Sequence, residues 1–208
     1  MNYLQPTEYE AYGLEATTPA AWVTAASAVM DAHCRRATLG VTQYEERLRT
    51  REDRNAVRVS YLPLAVVAPA TTPIVSARGR YAVPRRGEWA FDDPRREAAL
   101  TFGLPGAWTT IDAATVDVYP ETGELSLPLN VIGLGYSELD VVYNAGLAVI
   151  PDPVKVACAQ IVRNAQATPA LNVRTSRIDK LELQYFSASL MDETVSAMLA
   201  PYVAQKVG

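Results

Sequence analysis

The side chains that could carry out chemistry are few. The chain has one histidine, His33, so sites needing two imidazoles, such as the HExxH zinc proteases, are excluded. A Ser/His/Asp triad would have to use His33. No GxSxG turn accompanies it, and its neighbours are alanine, cysteine and arginine, so it reads as an ordinary helix residue. No GxxxxGK-S/T phosphate loop occurs. Gly133-Leu134-Gly135 is a GxG without a helical pattern behind it and reads as a turn between strands. Cys34 and Cys158 form no CxxC pair. Both lie in helical patterns among alanines, as reduced core thiols do.

Two carboxylate pairs, Asp92-Asp93 and Glu138/Asp140, have spacings compatible with acid–base or metal chemistry. Asp92-Asp93-Pro94 has the composition of a turn. Two carboxylates without fixed partners make an ordinary surface, so no catalytic, cofactor or metal residue is nominated. Arginine doublets occur at Arg35-Arg36, Arg85-Arg86 and Arg95-Arg96. Each alone is a solvated face. Arg85, Arg86, Arg95 and Arg96 fall in a loop-like middle, where a projecting loop would offer them to DNA phosphates or an acidic partner. Arg174, Arg177 and Lys180 stand near Asp179 and Glu182 and could pair with a neighbouring copy. Leu181, Leu183 and Tyr185 alternate with polar residues or Phe186, either as an edge strand that adds to a partner's sheet or as a strand paired within its own subunit. Trp89 and Trp108 suggest a function of another class, a β-rich ligand- or glycan-binding module with aromatic platforms.

These residues must be positioned by a mixed set of elements. Residues 1–17 are polar and aromatic and read as an arm or an irregular lead-in. Thr18-Pro19 has the cap and first-position signature of a helix running to about Ala37, with Trp22, Val23, Ala26, Val29, Met30 and His33 on one side and Thr24, Ser27, Asp31 and Arg35 on the other. Strands are expected over 42–50, 55–61 and 74–83, the last interrupted at Gly79. A hairpin turns at Pro120-Glu121-Thr122-Gly123, and a strand covers 139–143. Asp152-Pro153 starts a second helix that ends at Thr168-Pro169. A polar link and a short strand over 170–188 precede a third helix over about 189–200. The expected fold class is α+β: one connector domain built as a small helical scaffold of three main helices, with a β-rich insertion at 40–146 between helix one and helix two.

Composition agrees with a folded domain. About half of the 208 residues are apolar (49%), enough for a core. The net charge of −4 argues against a free-standing nucleic-acid binder, whose affinity comes from phosphate neutralisation. Met1–Tyr12 lacks the charged and then apolar run of a signal peptide, and no apolar stretch approaches a membrane span, so a soluble protein without membrane partners is expected.

Taken in order, several pieces resemble the head–tail connector (adaptor) proteins of long-tailed phages. Ala26-Ser27, Asp31 and Cys34-Arg35-Arg36 resemble the family's opening helix. Leu62-Pro63-Leu64 resembles its leucine–proline step, and Val118-Tyr119 to Gly123-Glu124-Leu125 its glycine-containing turn. Val141-Val142-Tyr143-Asn144-Ala145-Gly146 runs through Ile150-Pro151-Asp152-Pro153 into Val154-Lys155-Val156-Ala157, as the family's strand, proline turn and helix do. A link and alternating strand then precede a last helix near Leu199 to Tyr202. The resemblance implies a non-enzymatic virion protein of the phage neck, assembled in the host cytoplasm, with no cofactor. Its partners would be the portal protein, further copies in a ring (commonly of twelve), a stopper or tail-completion protein, and double-stranded DNA passing without specific binding. A head-closure or tail-completion protein is the nearest alternative.

Overall fold

The extended backbone of Pro19 leads directly into α1 (Ala20–His33), one residue later than the Thr18 cap signature predicts. This computed structural model describes residues 1–50, 55–81, 106–129, 133, 135–167, 175–178, 181–184 and 190–205, with backbone alone for 175–178 and 181–184. The chain is α+β and divides into two units. Met1–Gly40 and Val149–Val203 form a helical unit, and Val41–Ala148 with Ala204 and Gln205 forms a β unit inserted between its first two helices.

In the helical unit α1 packs against α2 (Asp152–Ala167), and α2 packs against α3 (Glu193–Leu199). Val23, Ala26 and Met30 of α1 meet a core that also holds Val154, Ala157, Cys158, Ile161, Val195 and Leu199. Asp192 caps α3 by accepting from the Val195 N–H at 2.7 Å. Two side chains of α1 depart from the helical-wheel expectation. Ser27, placed on the polar side, is buried, its Oγ donating to the Val23 carbonyl at 2.8 Å; Trp22, placed on the apolar side, is exposed. The helix stops at His33, and Arg35 takes a left-handed φ of 56°. Asp31 accepts a hydrogen bond from Tyr3. Cys34 and Cys158 are free and buried, and burial pushes both thiols up to about 11, as expected of inert core cysteines.

Of the two readings of the first 17 residues, the structure favours an irregular lead-in packed on the helices over an arm. Tyr3, Leu4, Tyr9 and Leu14 are buried in the helical unit. The Tyr3 hydroxyl accepts from the Leu39 N–H at 2.7 Å, donates to Asp31, and lies 3.0 Å from Thr38 Oγ1. Tyr12 donates to Asp152 at 2.7 Å, and Lys155 pairs with Glu8. A polar, aromatic lead-in reads as loose in sequence because its contacts repeat at no helical or strand period. Tyr3 is fixed by both its ring and its hydroxyl, whereas Tyr9 is held by its ring alone, its buried hydroxyl lacking a hydrogen-bond partner.

The β unit has two antiparallel sheets. β1 (Thr42–Arg49), β3 (Ile74–Arg80), β4 (Thr109–Ile111) and β7 (Glu138–Ala145) form one, in the order β1-β7-β3-β4. β2 (Ala56–Arg58), β5 (Asp117–Tyr119) and β6 (Glu124–Ser126) form the other, in the order β2-β6-β5. Both sheets contribute to one core, with Leu139, Val141 and Tyr143 from the first and Val57 and Leu125 from the second. The predicted hairpin joins β5 to β6: Gly123 turns at φ 70° and its N–H bonds the Tyr119 carbonyl at 2.8 Å. Gly79 does not interrupt its strand. It pairs with Leu139 and Thr109, and a Cβ there would stand 2.5 Å from the Tyr136 ring, so the missing side chain makes room for that ring.

A two-stranded ribbon completes the described structure. β8 (Thr175–Ile178) pairs antiparallel with β9 (Leu181–Gln184), so the segment expected to be only a polar link contains a strand. Among the described residues no helix is long and apolar enough to cross a membrane.

Tyr3→Phe keeps the ring but leaves the Leu39 N–H without its acceptor. The expected loss is about 1–3 kcal/mol of stability, the cost of a buried unsatisfied donor. A lowered urea midpoint would register it. An unchanged midpoint would mean that the lead-in contributes nothing to the helical unit.

Candidate functional site

The first sheet turns one side to the core and the other outward, and the outward side carries an ordered set of charges. Along β7, Leu139, Val141, Tyr143 and Ala145 are buried, so Glu138 and Asp140 project to the opposite side. The ladder sets Arg49 and Arg80 beside Glu138, and Arg47 and Arg78 beside Asp140. Each carboxylate on the central strand therefore lies between two arginines. Thr110 extends the second row onto β4, and Glu45 adds a carboxylate one row further along β1.

The contacts follow from this register. Glu138 Oε2 accepts from Arg47 Nη2 at 2.6 Å and from Arg80 Nε at 2.8 Å, while Arg49 Nη2 stands 3.8 Å from Oε1. Asp140 pairs with Arg78. The tryptophan ring of Trp108, just before β4, lies against this cluster, its centroid 4.7 Å from the Arg80 guanidinium and 5.5 Å from that of Arg47.

Depth separates the two signs. The side chains of Glu138 and Asp140 are 8% and 12% exposed, whereas those of Arg47 and Arg78 are 54% and 50% exposed. The carboxylates lie beneath and the guanidiniums stand above, so the layer facing solvent is positive although the chain as a whole is acidic. Burial on its own would raise the Glu138 carboxyl pKa. Hydrogen bonds from Arg47 and Arg80, with their charges, outweigh burial and hold it below the usual glutamate value. Such a surface suits binding of acidic groups by forked, bidentate contacts. Among the described residues no group of three or more His, Cys, Asp or Glu side chains could hold a metal ion.

The sequence did not single out these four arginines. Its interface candidates Arg85, Arg86, Arg95, Arg96, Arg174, Lys180 and Tyr185 lie outside the described residues, as does Trp89. Arg177, Leu181 and Leu183 are in the β8–β9 ribbon, where Arg177 pairs with Glu182, Ile178 with Leu181, and Ser176 with Leu183. The strand expected at 181–185 is therefore paired within its own chain along one edge. Of the first arginine doublet, Arg35 is exposed and Arg36 is buried with its Nε and Nη1 unpartnered. Glu138 and Asp140, weighed as an acid pair, are instead the anionic centre of an arginine cluster. A signal for the site does exist in sequence: Arg47-x-Arg49, Arg78-x-Arg80 and Glu138-x-Asp140 each repeat one charge at the strand period of two.

No family model matches the chain, and no curated protein matches it either.

Because the Glu138 pKa is lowered by folding, its ionised form adds stability above the ordinary value of about 4.5, and that stability is lost as pH falls through the folded value. Glu138→Gln should cost about 1–3 kcal/mol at neutral pH, in the range for hydrogen bonds to charged groups. The gap to the wild type should close as the solution is acidified below that value. Denaturation midpoints across the acid range measure this; a gap that does not change with pH would show that Glu138 is not held as a depressed carboxylate.

Proposed function

We propose that this chain is a structural head–tail connector (adaptor) of a tailed phage or prophage. It would act as one copy in a ring under the portal, extending the DNA channel and offering a platform to stopper or tail proteins. The observation that carries the reading is the run from Val141 to Ala157. Its residues resemble the family's strand, proline turn and helix, and they form β7 ending at Ala145, a turn through Gly146 at φ 133°, and α2 from Asp152. The β unit is also inserted in the chain between the first two helices, as the pattern of elements leads one to expect.

The physical logic suits a ring. Each subunit of a closed ring contributes modest area, and binding to a matching ring multiplies the effect of many weak contacts. The sugar-platform reading finds less support, because the ring of Trp108 is already engaged by Arg47 and Arg80.

Negative-stain imaging of cognate portal particles mixed with the purified chain tests the proposal. A connector should add a collar to bare portals. A head-closure or tail-completion protein should bind only particles that already carry a connector. Portal particles unchanged at saturating protein would overturn the connector reading.

A further inference from the structure

The outward side of the second sheet has the opposite character to that of the first. Val57, Val118 and Leu125 turn to the core, so Arg58, Asp117, Tyr119 and Glu124 project outward, with Glu121 in the turn between β5 and β6. The carboxylates of Asp117, Glu121 and Glu124 make no hydrogen bond or ion pair among the described residues. The cation of this side, Arg58, donates to the Thr122 carbonyl at 2.8 Å and reaches Gln205 at 3.4 Å. Tyr119 stands among these acids 54% exposed, an unusual amount of aromatic surface to leave in water.

We propose that the arginine side of the first sheet in one copy docks on the acidic side of the second sheet in the next, with Arg47 and Arg78 reaching Asp117, Glu121 and Glu124 around Tyr119. Both surfaces belong to one β unit and point away from a shared core. Because the two surfaces point away from one shared core, a pair joined through one contact leaves the acidic side of one copy and the arginine side of the other open, and association is head-to-tail. The guanidiniums provide forked donors and flat faces, and the partner surface provides three unpaired carboxylates and an aromatic ring on which a guanidinium stacks. A nucleic acid is the poorer occupant. The arginines overlie carboxylates that already take part of their charge, and the chain's net charge of −4 repels a polyanion elsewhere. This inference deepens the ring reading and rests on it only for closure of the chain of contacts into a ring.

The test is the association state of the full chain. Sedimentation across a concentration series at low and high salt should show wild-type oligomers that weaken as salt rises. Asp117→Lys with Glu121→Lys changes only exposed residues and should weaken association by about tenfold or more. Arg47→Gln with Arg78→Gln should do the same, each variant being checked for folding by its melting curve. Mixed together, the two variants retain one intact surface each, so they should pair one to one and go no further. Wild-type protein that stays monomeric throughout, or a folded Asp117→Lys/Glu121→Lys variant that associates like the wild type, would overturn the proposal. So would double-stranded DNA binding that the arginine variant loses without any self-association. If the arginine variant fails to fold, the lysine variant alone decides. Self-association through these surfaces without a collar on portals would sink the connector reading alone. A normal collar from the lysine variant would sink this inference alone.

Discussion

A carboxylate removed from water must be neutralised where it stands, and Glu138 meets that demand from both sides. It occupies the central strand of its sheet, and its cations come from β1 and β3, the strands on either flank. A shift of one residue in either ladder would turn the arginines of that strand into the core and leave Glu138 short of partners. The apolar alternation of β7 already favours this register; the ion cluster penalises the others, because a buried charge without its partner costs several kcal/mol. One residue therefore links strand register to the sign of the surface. The same pairing that fixes β1-β7-β3 lifts four guanidiniums above two covered acids.

That arrangement gives a net acidic protein one positive side without a run of basic sequence. Interspersed single charges from three strands make a patch whose strength depends on folding. The unfolded chain carries no such concentration of charge and so gains nothing from premature association. The acidic side is simpler. Its carboxylates sit on a short hairpin, and none of them is ion-paired within the described structure.

What could be read from the sequence follows the range of the interaction. α2 was legible from Asp152-Pro153 and its apolar period, and the β5–β6 hairpin from its glycine turn, because those signals are local. Tyr3 and Tyr9 were not, since an aromatic residue in an irregular lead-in becomes a core residue only when distant segments close on it; Tyr3 reaches Leu39 across 36 positions. Gly79 reads as a break until the Tyr136 ring is seen above it. The arginine cluster lay between these extremes. The period-two repeats of like charge were visible, but their joining was not, because Arg47 and Glu138 are 91 residues apart and only sheet topology makes them neighbours.

The place where the insertion begins and ends explains how a helical unit can accommodate so large a β unit. Thr42 opens β1 and Ala145 closes β7, and these two residues are partners in the ladder. The β unit thus enters and leaves at one end of a single antiparallel pair, a few ångströms apart across the strands. To the chain on either side, more than a hundred residues occupy little more room than a tight loop, the condition under which insertions are tolerated. The same pair continues to Arg49 and Glu138 at its far end, so the ladder that closes the insertion also carries the charged cluster. Any sequence change that kept the insertion closed but moved its register would erase the positive surface, which ties the architecture of the β unit to the interactions it offers.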